Sequence, residues 1–328
     1  MDFYTWQNHR CAFEKVASKP DADSSLADSG ADSGADSEHS RPALLLIHPI
    51  GVGLSHEFWQ PFVQQFGQQE AKSESVSCRH TLYNVDLLGC GDSDMPNRAY
   101  RPEDWAEQLA YFIEQIASEP VVLVVQGALL PVAIRLMGLP AGNQVKGLVL
   151  SGPPAWRLMT TPTPSWQQKL SWALFESPLG SAFYRYARRE SFLRSFSERQ
   201  LFERPEGVTD DWLAMLKAGA KDMNSRYAVF SFLAGFWRQD YAAAIARIQQ
   251  PVLIVMGDEA SSIDRTTAKQ AEAQAQANST QTSQQRLQAY LDHFPRAQGV
   301  CIAGRNVLPY ESTAEFVEAV VPFIANLA

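Results

Sequence analysis

The side chains that could perform nucleophilic chemistry are scattered along this sequence. Covalent acyl transfer needs a nucleophile, a base within hydrogen-bond reach and an acid that orients the base. None of the six histidines follows the last predicted β-strand, Gly299 to Ala303; they are His9, His39, His48, His56, His80 and His293. Other candidates near the predicted strand ends are His48, Cys90, Gln126, Ser151, Tyr310 and Glu311. Side chains that gather at the carboxyl ends of parallel strands could also support non-covalent chemistry.

One stretch has the layout that places a nucleophile, and it runs from Pro120 to Pro140. The β-branched run Val121 to Val125 predicts a strand buried on both faces of a parallel sheet. Pro131 suits the first turn of a following helix, where its missing N–H would have no partner. A strand that enters a helix through a tight turn is the layout of a nucleophile elbow.

This stretch resembles the elbow of the α/β-hydrolase superfamily, G-x-S-x-G with Ser, Cys or Asp at its apex. The matching residues are Val125-Gln126-Gly127-Ala128-Leu129, so the resemblance places Gly127 at the apex, where it has no side chain to attack a substrate. The apex of this family has a strained positive φ, which glycine adopts most easily. The fold can therefore survive the loss of the nucleophile.

The other two triad positions of the family also differ in this chain. The family's acid usually lies three residues after the glycine that closes the strand PVLIVMG, which gives Ala260, with Asp258 and Glu259 just before it. The family's histidine, aligned on Glu311, corresponds to Asn306, and asparagine cannot act as a base near neutral pH. The resemblance thus predicts a degenerate triad of Gly127, Ala260 and Asn306.

Half of an oxyanion hole is expected after the buried strand Ala43 to Ile47. The segment His48-Pro49-Ile50 resembles the family's H-G-x loop, and Ile50 keeps the backbone N–H that Pro49 lacks. The N–H of Ala128 would supply the other half. In the family a histidine at the position of His48 is structural, and a catalytic base is the alternative.

The loop Asp86 to Asp94 closely resembles the family's D-x-x-G-x-G-x-S-D segment, whose role is architectural. The resemblance implies an α/β fold with a mostly parallel central sheet flanked by helices and a helical cap insertion. We expect the core in residues 1–154 and 248–328 and the cap in 155–247. Residues 20–41 are a low-complexity acidic run that we expect to be a disordered loop, with a regulatory segment as the alternative.

Aromatic side chains of the predicted cap could line an apolar pocket, although most aromatics at helical spacing belong to the core. The candidates are Tyr184, Tyr186, Phe192, Phe196, Phe230, Phe232, Phe236 and Trp237. The basic cluster of Arg185, Arg188, Arg189 and Arg194 predicts a solvated helix face, with an anion or partner site as the alternative.

Composition excludes several classes of function. The 328 residues carry a formal net charge of −8, which gives no electrostatic footprint for nucleic acid. The four cysteines lie far apart without metal-type spacing, which is typical of a reducing compartment. The chain opens without a secretory signal, and polar residues interrupt its longest apolar stretch, 121–139. We therefore expect a cytoplasmic protein that is not integral to a membrane and needs no cofactor or metal.

Three functional hypotheses remain. The first is a non-catalytic α/β-hydrolase-fold protein that binds a small apolar ligand under the cap or a protein partner. The second is a hydrolase or lyase that acts on a small apolar or ester-like substrate through non-standard residues, and the third is an ordinary hydrolase with its nucleophile elsewhere. The phrases LLIHPIGVGLS and GRNVLPYES resemble a cyanobacterial or plastid group of such proteins, a resemblance that implies a photosynthetic source and supplies no reaction.

Overall fold

The computed structural model describes residues 1–16, 41–72, 80–259 and 282–327. The predicted disordered run 20–41 lies outside these residues except for Arg41, and Ala260 also lies outside them.

The described residues form an eight-stranded sheet with the order β1-β2-β4-β3-β5-β6-β7-β8. The strands β3 to β8 pair in parallel, and the β1–β2 hairpin joins β4 antiparallel. The strands are β1 (Asp2–Trp6), β2 (His9–Val16), β3 (Ala43–Ile47), β4 (Leu82–Val85), β5 (Val121–Gln126), β6 (Val145–Ser151), β7 (Val252–Gly257) and β8 (Ala297–Ile302). The mostly parallel sheet confirms the expected fold class.

Gln7 and Asn8 form the turn of the β1–β2 hairpin with φ of 48° and 65°. A type I′ turn needs positive φ at both central positions, and the flanking residues Trp6 and His9 pair with each other.

Helices pack on both faces of the sheet, which explains the continuous hydrophobic runs of the central strands. Alternate side chains of each strand face opposite sides of the sheet. Leu45 and Leu123 belong to one buried cluster, together with the helices Pro102–Phe112 and Leu130–Met137. Leu44 and Val122 belong to the other, together with the helices Gln60–Lys72 and Thr313–Ala325. The helices are α1 (Gln60–Lys72), α2 (Pro102–Phe112), α3 (Leu130–Met137), α4 (Trp156–Thr160), α5 (Ser165–Glu176), α6 (Pro178–Ala187), α7 (Glu190–Phe196), α8 (Asp210–Gly219), α9 (Arg226–Leu233), α10 (Ala242–Ile245), α11 (Ser283–Leu291), α12 (Leu308–Glu311) and α13 (Thr313–Ala325).

The helices α4 to α10 lie between β6 and β7 in the chain, and we call this segment, Trp156–Ile245, the cap. Tyr184 of α6 packs with Val229 and Phe230 of α9 in a small buried cluster of its own. At one point the cap meets the loop after β3 so closely that a Cβ on Gly53 would lie 1.8 Å from the carbonyl oxygen of Leu216.

The loop after β4 is fixed by the buried carboxylate of Asp86. It accepts hydrogen bonds from the backbone N–H of His56 at 2.8 Å, from His56 Nδ1 at 2.9 Å and from the N–H of Asp92 at 2.8 Å. Burial alone would raise the pKa of Asp86, but the hydrogen bond and charge of His56 hold that pKa below its ordinary value. Burial alone would lower the pKa of His56, but the hydrogen bond and the charge of Asp86 raise it above its ordinary value.

Candidate functional site

The turn after β5 has the backbone of a nucleophile elbow. Gly127 has φ +58°, the chain continues into α3 at Leu130, and Pro131 lies in the first turn of that helix. Among the described residues, a Cβ built on Gly127 would contact only the carbonyl oxygen of Gly152, at an ordinary 3.9 Å. The turn therefore has space for a side chain, and its left-handed backbone favours glycine.

Gly127 opens on an apolar cavity of about 220 Å³ that lies between the sheet and the cap. The four described residues that the family resemblance assigned to the triad or the oxyanion hole line it together: Ile50, Gly127, Ala128 and Asn306. Most other lining residues are aliphatic or aromatic, and they include Val52, Leu54, Phe183, Phe192, Leu193, Phe196, Leu201, Leu216, Val229, Phe232, Leu233 and Val307. The carboxyl ends of β3 and β5 and the loop after β8 thus share one apolar chamber with the cap.

The two residues that the family resemblance assigns to an oxyanion hole, Ile50 and Ala128, both line the cavity. Neither the N–H of Ile50 nor that of Ala128 donates a hydrogen bond to another of the described residues. Free N–H groups that line a cavity can stabilise a carbonyl or carboxylate oxygen of a bound molecule.

The loop that carries Asn306 is held by its main chain. The side-chain amide of Gln126 donates to the carbonyl oxygen of Asn306, whose N–H donates to the carbonyl oxygen of Leu201 at 3.2 Å. The carboxylate of Glu311 accepts from the N–H of Arg305 at 2.5 Å and from the N–H of Glu203 at 2.9 Å. Burial raises the pKa of Glu311, and these hydrogen bonds partly oppose the shift. Glu311 therefore positions the loop and does not line the cavity.

Ala260, the expected acid position, lies outside the described residues, whereas Asp258 and Glu259 just before it are described. Asp258 and Glu259 are exposed at the end of β7, and their N–H groups donate to the carbonyl oxygens of Ile302 and Gly304 at 3.0 and 3.1 Å. These contacts place the end of β7 beside the loop that carries Asn306. Neither carboxylate lines the cavity.

None of the histidines that the structure describes lines the cavity. Buried His48 contacts the carbonyl oxygen of Pro49 through Nδ1 at 2.7 Å and accepts from the N–H of Leu87 at Nε2 at 3.2 Å. Burial lowers the pKa of His48. Both ring nitrogens are thus occupied by backbone groups, an arrangement that suits a structural histidine. The other described histidines contact Asp86, Glu70 or a backbone carbonyl, or lie on the β1–β2 hairpin.

The remaining sequence candidates do not converge on the cavity. Ser151 is fully buried at the end of β6, and its hydroxyl has no hydrogen-bond partner among the described residues. Cys90 is buried with a raised pKa caused first by burial, and the ring of Tyr310 packs between Phe58 and Trp212. Of these candidates only Gln126 reaches the cavity.

Two of the four polar side chains that line the cavity, those of Tyr184 and Ser197, are hydrogen-bonded to other side chains. The hydroxyl of Tyr184 lies 2.7 Å from that of Ser225, and burial raises the pKa of Tyr184 to about 12. Ser197 accepts a hydrogen bond from Trp212 Nε1 at 2.8 Å. Among the described residues, Tyr184 is the only titratable side chain of the lining. The described lining can therefore bind a molecule through apolar contacts and the N–H groups of Ile50 and Ala128, but it contains no side chain that could act as the general base of acyl transfer.

Half of the cap aromatics expected at a pocket do line the cavity: Tyr184, Phe192, Phe196 and Phe232. Tyr186, Phe230, Phe236 and Trp237 do not. The sequence did not indicate Phe183, Leu201 or Val229, because helical spacing alone does not tell which side of a cap helix faces the sheet.

These features define a capped α/β-hydrolase scaffold with an apolar chamber at its elbow. The sequence profile of the Alpha/beta hydrolase family matches residues 44–320, and the chain belongs to that family. No curated protein matches the chain in sequence.

Similar solved structures show the fold across several activities. An enol-lactonase from Burkholderia xenovorans LB400 is 11% identical with TM-score 0.66, covering 99% of this chain and 100% of its own. A thermophilic esterase from Thermogutta terrifontis is 14% identical with TM-score 0.64, covering 97% and 94%. A bromoperoxidase from Bacillus anthracis is 16% identical with TM-score 0.62, covering 97% and 96%. At such identities the likeness extends to the fold alone.

No helix in the described parts of the chain combines the length and apolar character needed to cross a bilayer.

Proposed function

We propose that this chain is a non-catalytic member of the Alpha/beta hydrolase family that binds a small apolar molecule beneath its cap. One observation carries the proposal: the described lining of the chamber at the elbow contains no carboxylate, histidine or cysteine. Gly127 and Asn306, which the sequence resemblance aligns with the family's nucleophile and base, are both part of that lining. A nucleophile without a base within reach is not activated for acyl transfer.

The chamber is suited to a ligand of modest size. Dry aliphatic cavities of about 150 Å³ are large enough to bind benzene, and this chamber has about 220 Å³ with a largely apolar wall. The N–H groups of Ile50 and Ala128 would orient a single carbonyl or carboxylate oxygen of the ligand. We infer an apolar molecule with one polar oxygen at one end.

Ligand binding is tested with the uncharged fluorophore N-phenyl-1-naphthylamine, which brightens in apolar sites. Leu233→Trp narrows the mouth of the chamber at a side chain that is 48% exposed, so the core is not disturbed. The matched control is Leu179→Trp, the same change at an exposed cap leucine outside the chamber. We expect the affinity to fall about tenfold in Leu233→Trp, which corresponds to the loss of about 1.4 kcal/mol of contact. Equal affinity in both variants would contradict a site in the chamber.

The absence of catalysis is tested with p-nitrophenyl esters of short and long acyl chains. We expect the wild type to match the uncatalysed background. The triple variant Gly127→Ser, Ala260→Asp, Asn306→His should hydrolyse the esters if the oxyanion N–H groups are intact. Wild-type turnover that persists in independent preparations would refute the non-catalytic proposal.

A second candidate is a hydrolase or lyase that uses non-standard residues. The N–H groups of Ile50 and Ala128 and the hydroxyl of Ser151 have no hydrogen-bond partner within the described parts of the chain, which favours this candidate. If a turnover is measured, it should fall at least about tenfold in His48→Ala, Ser151→Ala or Glu311→Gln. Unchanged turnover in all three variants would eliminate this candidate.

We also propose a cytoplasmic location in a cyanobacterium or plastid. The free thiols of Cys11, Cys90 and Cys301 among the described residues support a reducing compartment. Fractionation of the source cells, with the protein followed by immunoblot, tests the location.

A further inference from the structure

Large apolar side chains are exposed mainly on one part of the molecule. Among the described residues, eleven large hydrophobic side chains are exposed, and eight of them belong to the cap. Contiguous exposed apolar patches mark surfaces that bind another protein, a ligand or a membrane.

The helix α5 presents its apolar row to solvent. Trp166, Leu170 and Leu174 follow one another at intervals of four residues, which places them on one face of the helix. They are 63%, 65% and 52% exposed, and no residue of α5 is buried. A helix that covers a core has the opposite pattern, with its apolar row turned inward.

The exposed row continues onto α6 and reaches the mouth of the chamber. Leu179 and Phe183, one turn apart on α6, are 69% and 43% exposed. Phe183 and Leu233 also line the chamber, and Leu170 shares a shallow surface depression with Leu233. We call Trp166, Leu170, Leu174, Leu179, Phe183 and Leu233 the cap apolar surface.

The segment that carries most of this surface, residues 165–196, has a net charge opposite in sign to that of the whole chain. Residues 165–196 contain five basic side chains and two acidic ones, a net charge of +3 (5 − 2), in a protein of net charge −8. Lys169, Arg185 and Arg189 are exposed and form no ion pair with a carboxylate of the described residues. The guanidinium of Arg189 instead lies 5.8 Å from the ring centre of the exposed Tyr186.

We propose that the cap apolar surface docks on a lipid bilayer that contains anionic lipid. Helices with exposed tryptophan, leucine and phenylalanine beside unpaired lysine and arginine lie in the interfacial plane, where apolar side chains enter the acyl boundary and cations meet the headgroups. A symmetric dimer through the same surface would bring two surfaces of equal positive charge together. The charge therefore favours an anionic bilayer over a second copy of this chain. Docking does not require the chamber to bind any ligand.

The test is co-sedimentation of the full chain with vesicles of phosphatidylcholine containing about one third phosphatidylglycerol, and with vesicles of phosphatidylcholine alone. We expect the wild type to bind the anionic vesicles, more weakly at high salt. Leu170→Glu should weaken binding about tenfold or more, because a leucine that enters the acyl boundary is replaced by a repelled charge. The matched control is Phe3→Glu, the same change of charge at a side chain on β1 that is 46% exposed.

The contribution of charge is tested separately with Arg185→Glu and Arg189→Glu. Each should weaken binding to anionic vesicles about fivefold or more and leave binding to phosphatidylcholine vesicles unchanged. Circular dichroism and N-phenyl-1-naphthylamine binding report whether each variant keeps its fold and chamber. Equal binding of wild type and Leu170→Glu, or no binding of the wild type, would overturn the proposal. A dimer of the wild type that Leu170→Glu dissociates in sedimentation velocity, without vesicle binding, would assign the surface to a second copy instead.

Discussion

The elbow glycine allows a quantitative prediction, because three glycines share almost the same backbone and differ in their surroundings. Gly127, Gly152 and Gly91 have φ of +58°, +51° and +55°. Replacing any of them by serine forces an L-residue into the left-handed region, which costs about 1–2 kcal/mol. The same replacement reduces the conformational entropy of the unfolded chain, which stabilises the folded protein by about 0.4–1 kcal/mol and offsets part of that cost. The backbone contribution is therefore about 1 kcal/mol of unfolding free energy in each case.

The steric contribution then ranks the three variants. The new Cβ of Gly127→Ser lies 3.9 Å from its nearest neighbour and adds no clash. In Gly152→Ser it lies 3.2 Å from the carbonyl oxygen of Asn306, which must shift by a few tenths of an ångström. In Gly91→Ser it would lie 2.1 Å from the carboxylate of Asp86. We expect losses of about 1, about 2 and more than about 3 kcal/mol, since the last change disrupts a buried charged network.

Urea denaturation followed by far-ultraviolet circular dichroism measures these losses as shifts of the midpoint at constant slope. The m value of each variant shows whether the unfolding transition keeps its cooperativity. If Gly127→Ser costs as much as Gly91→Ser, the elbow has no room for a side chain, and the reasoning about an open apex fails.

Two further predictions concern carboxylates that hold loops in place, those of Asp86 and Glu311. Asp86→Asn should lower the unfolding free energy by about 3 kcal/mol or more, because an amide cannot accept from both N–H groups of His56 and the N–H of Asp92. Its matched control, Asp92→Asn, changes an exposed neighbour and should cost less than about 0.5 kcal/mol. In the folded protein the pKa of Asp86 is lowered and that of His56 is raised, so the advantage of wild type over Asp86→Asn should be complete between about pH 4 and about pH 6.5. It should shrink on acidification, because the unfolded chain binds the proton of Asp86 first, and also at alkaline pH, where His56 loses its proton. A difference that stays constant in an acid denaturation series would contradict this. Glu311→Gln should cost about 1–3 kcal/mol in urea denaturation because the N–H of Arg305 or Glu203 loses its acceptor, and an unchanged midpoint would show that these hydrogen bonds contribute nothing net.

The sheet and the elbow could be predicted from local sequence, and the cap surface of the chamber could not. The β-branched run Val121 to Val125 is stable only as a strand that is covered on both faces of the sheet. The observed strand β5 contains this run and extends it by Gln126 alone. Phe230 and Phe232 are two residues apart on α9, yet Phe232 lines the chamber and Phe230 stacks on Phe175. That choice depends on how the cap helices pack against one another, which helical periodicity does not contain.

The acid position illustrates a different limit. Asp258 and Glu259 are close enough in sequence to Ala260 that a shift of one or two residues in alignment would change the assignment. Their N–H groups pair with the loop after β8, so the end of β7 is positioned by main-chain contacts that any residue could make. Residue identity therefore carries little information about register at this point.

The main-chain anchoring of the loop at Asn306 has a consequence for protein engineering. Gln126 and Glu311 hold this loop through backbone atoms of Arg305 and Asn306, and Gly127 keeps the apex of the elbow open without a side chain. The backbone around the chamber is thus held without hydrogen bonds from the side chains at positions 127 and 306. New reactive side chains could therefore be introduced at positions 127 and 306 by design, while the surrounding backbone keeps its position.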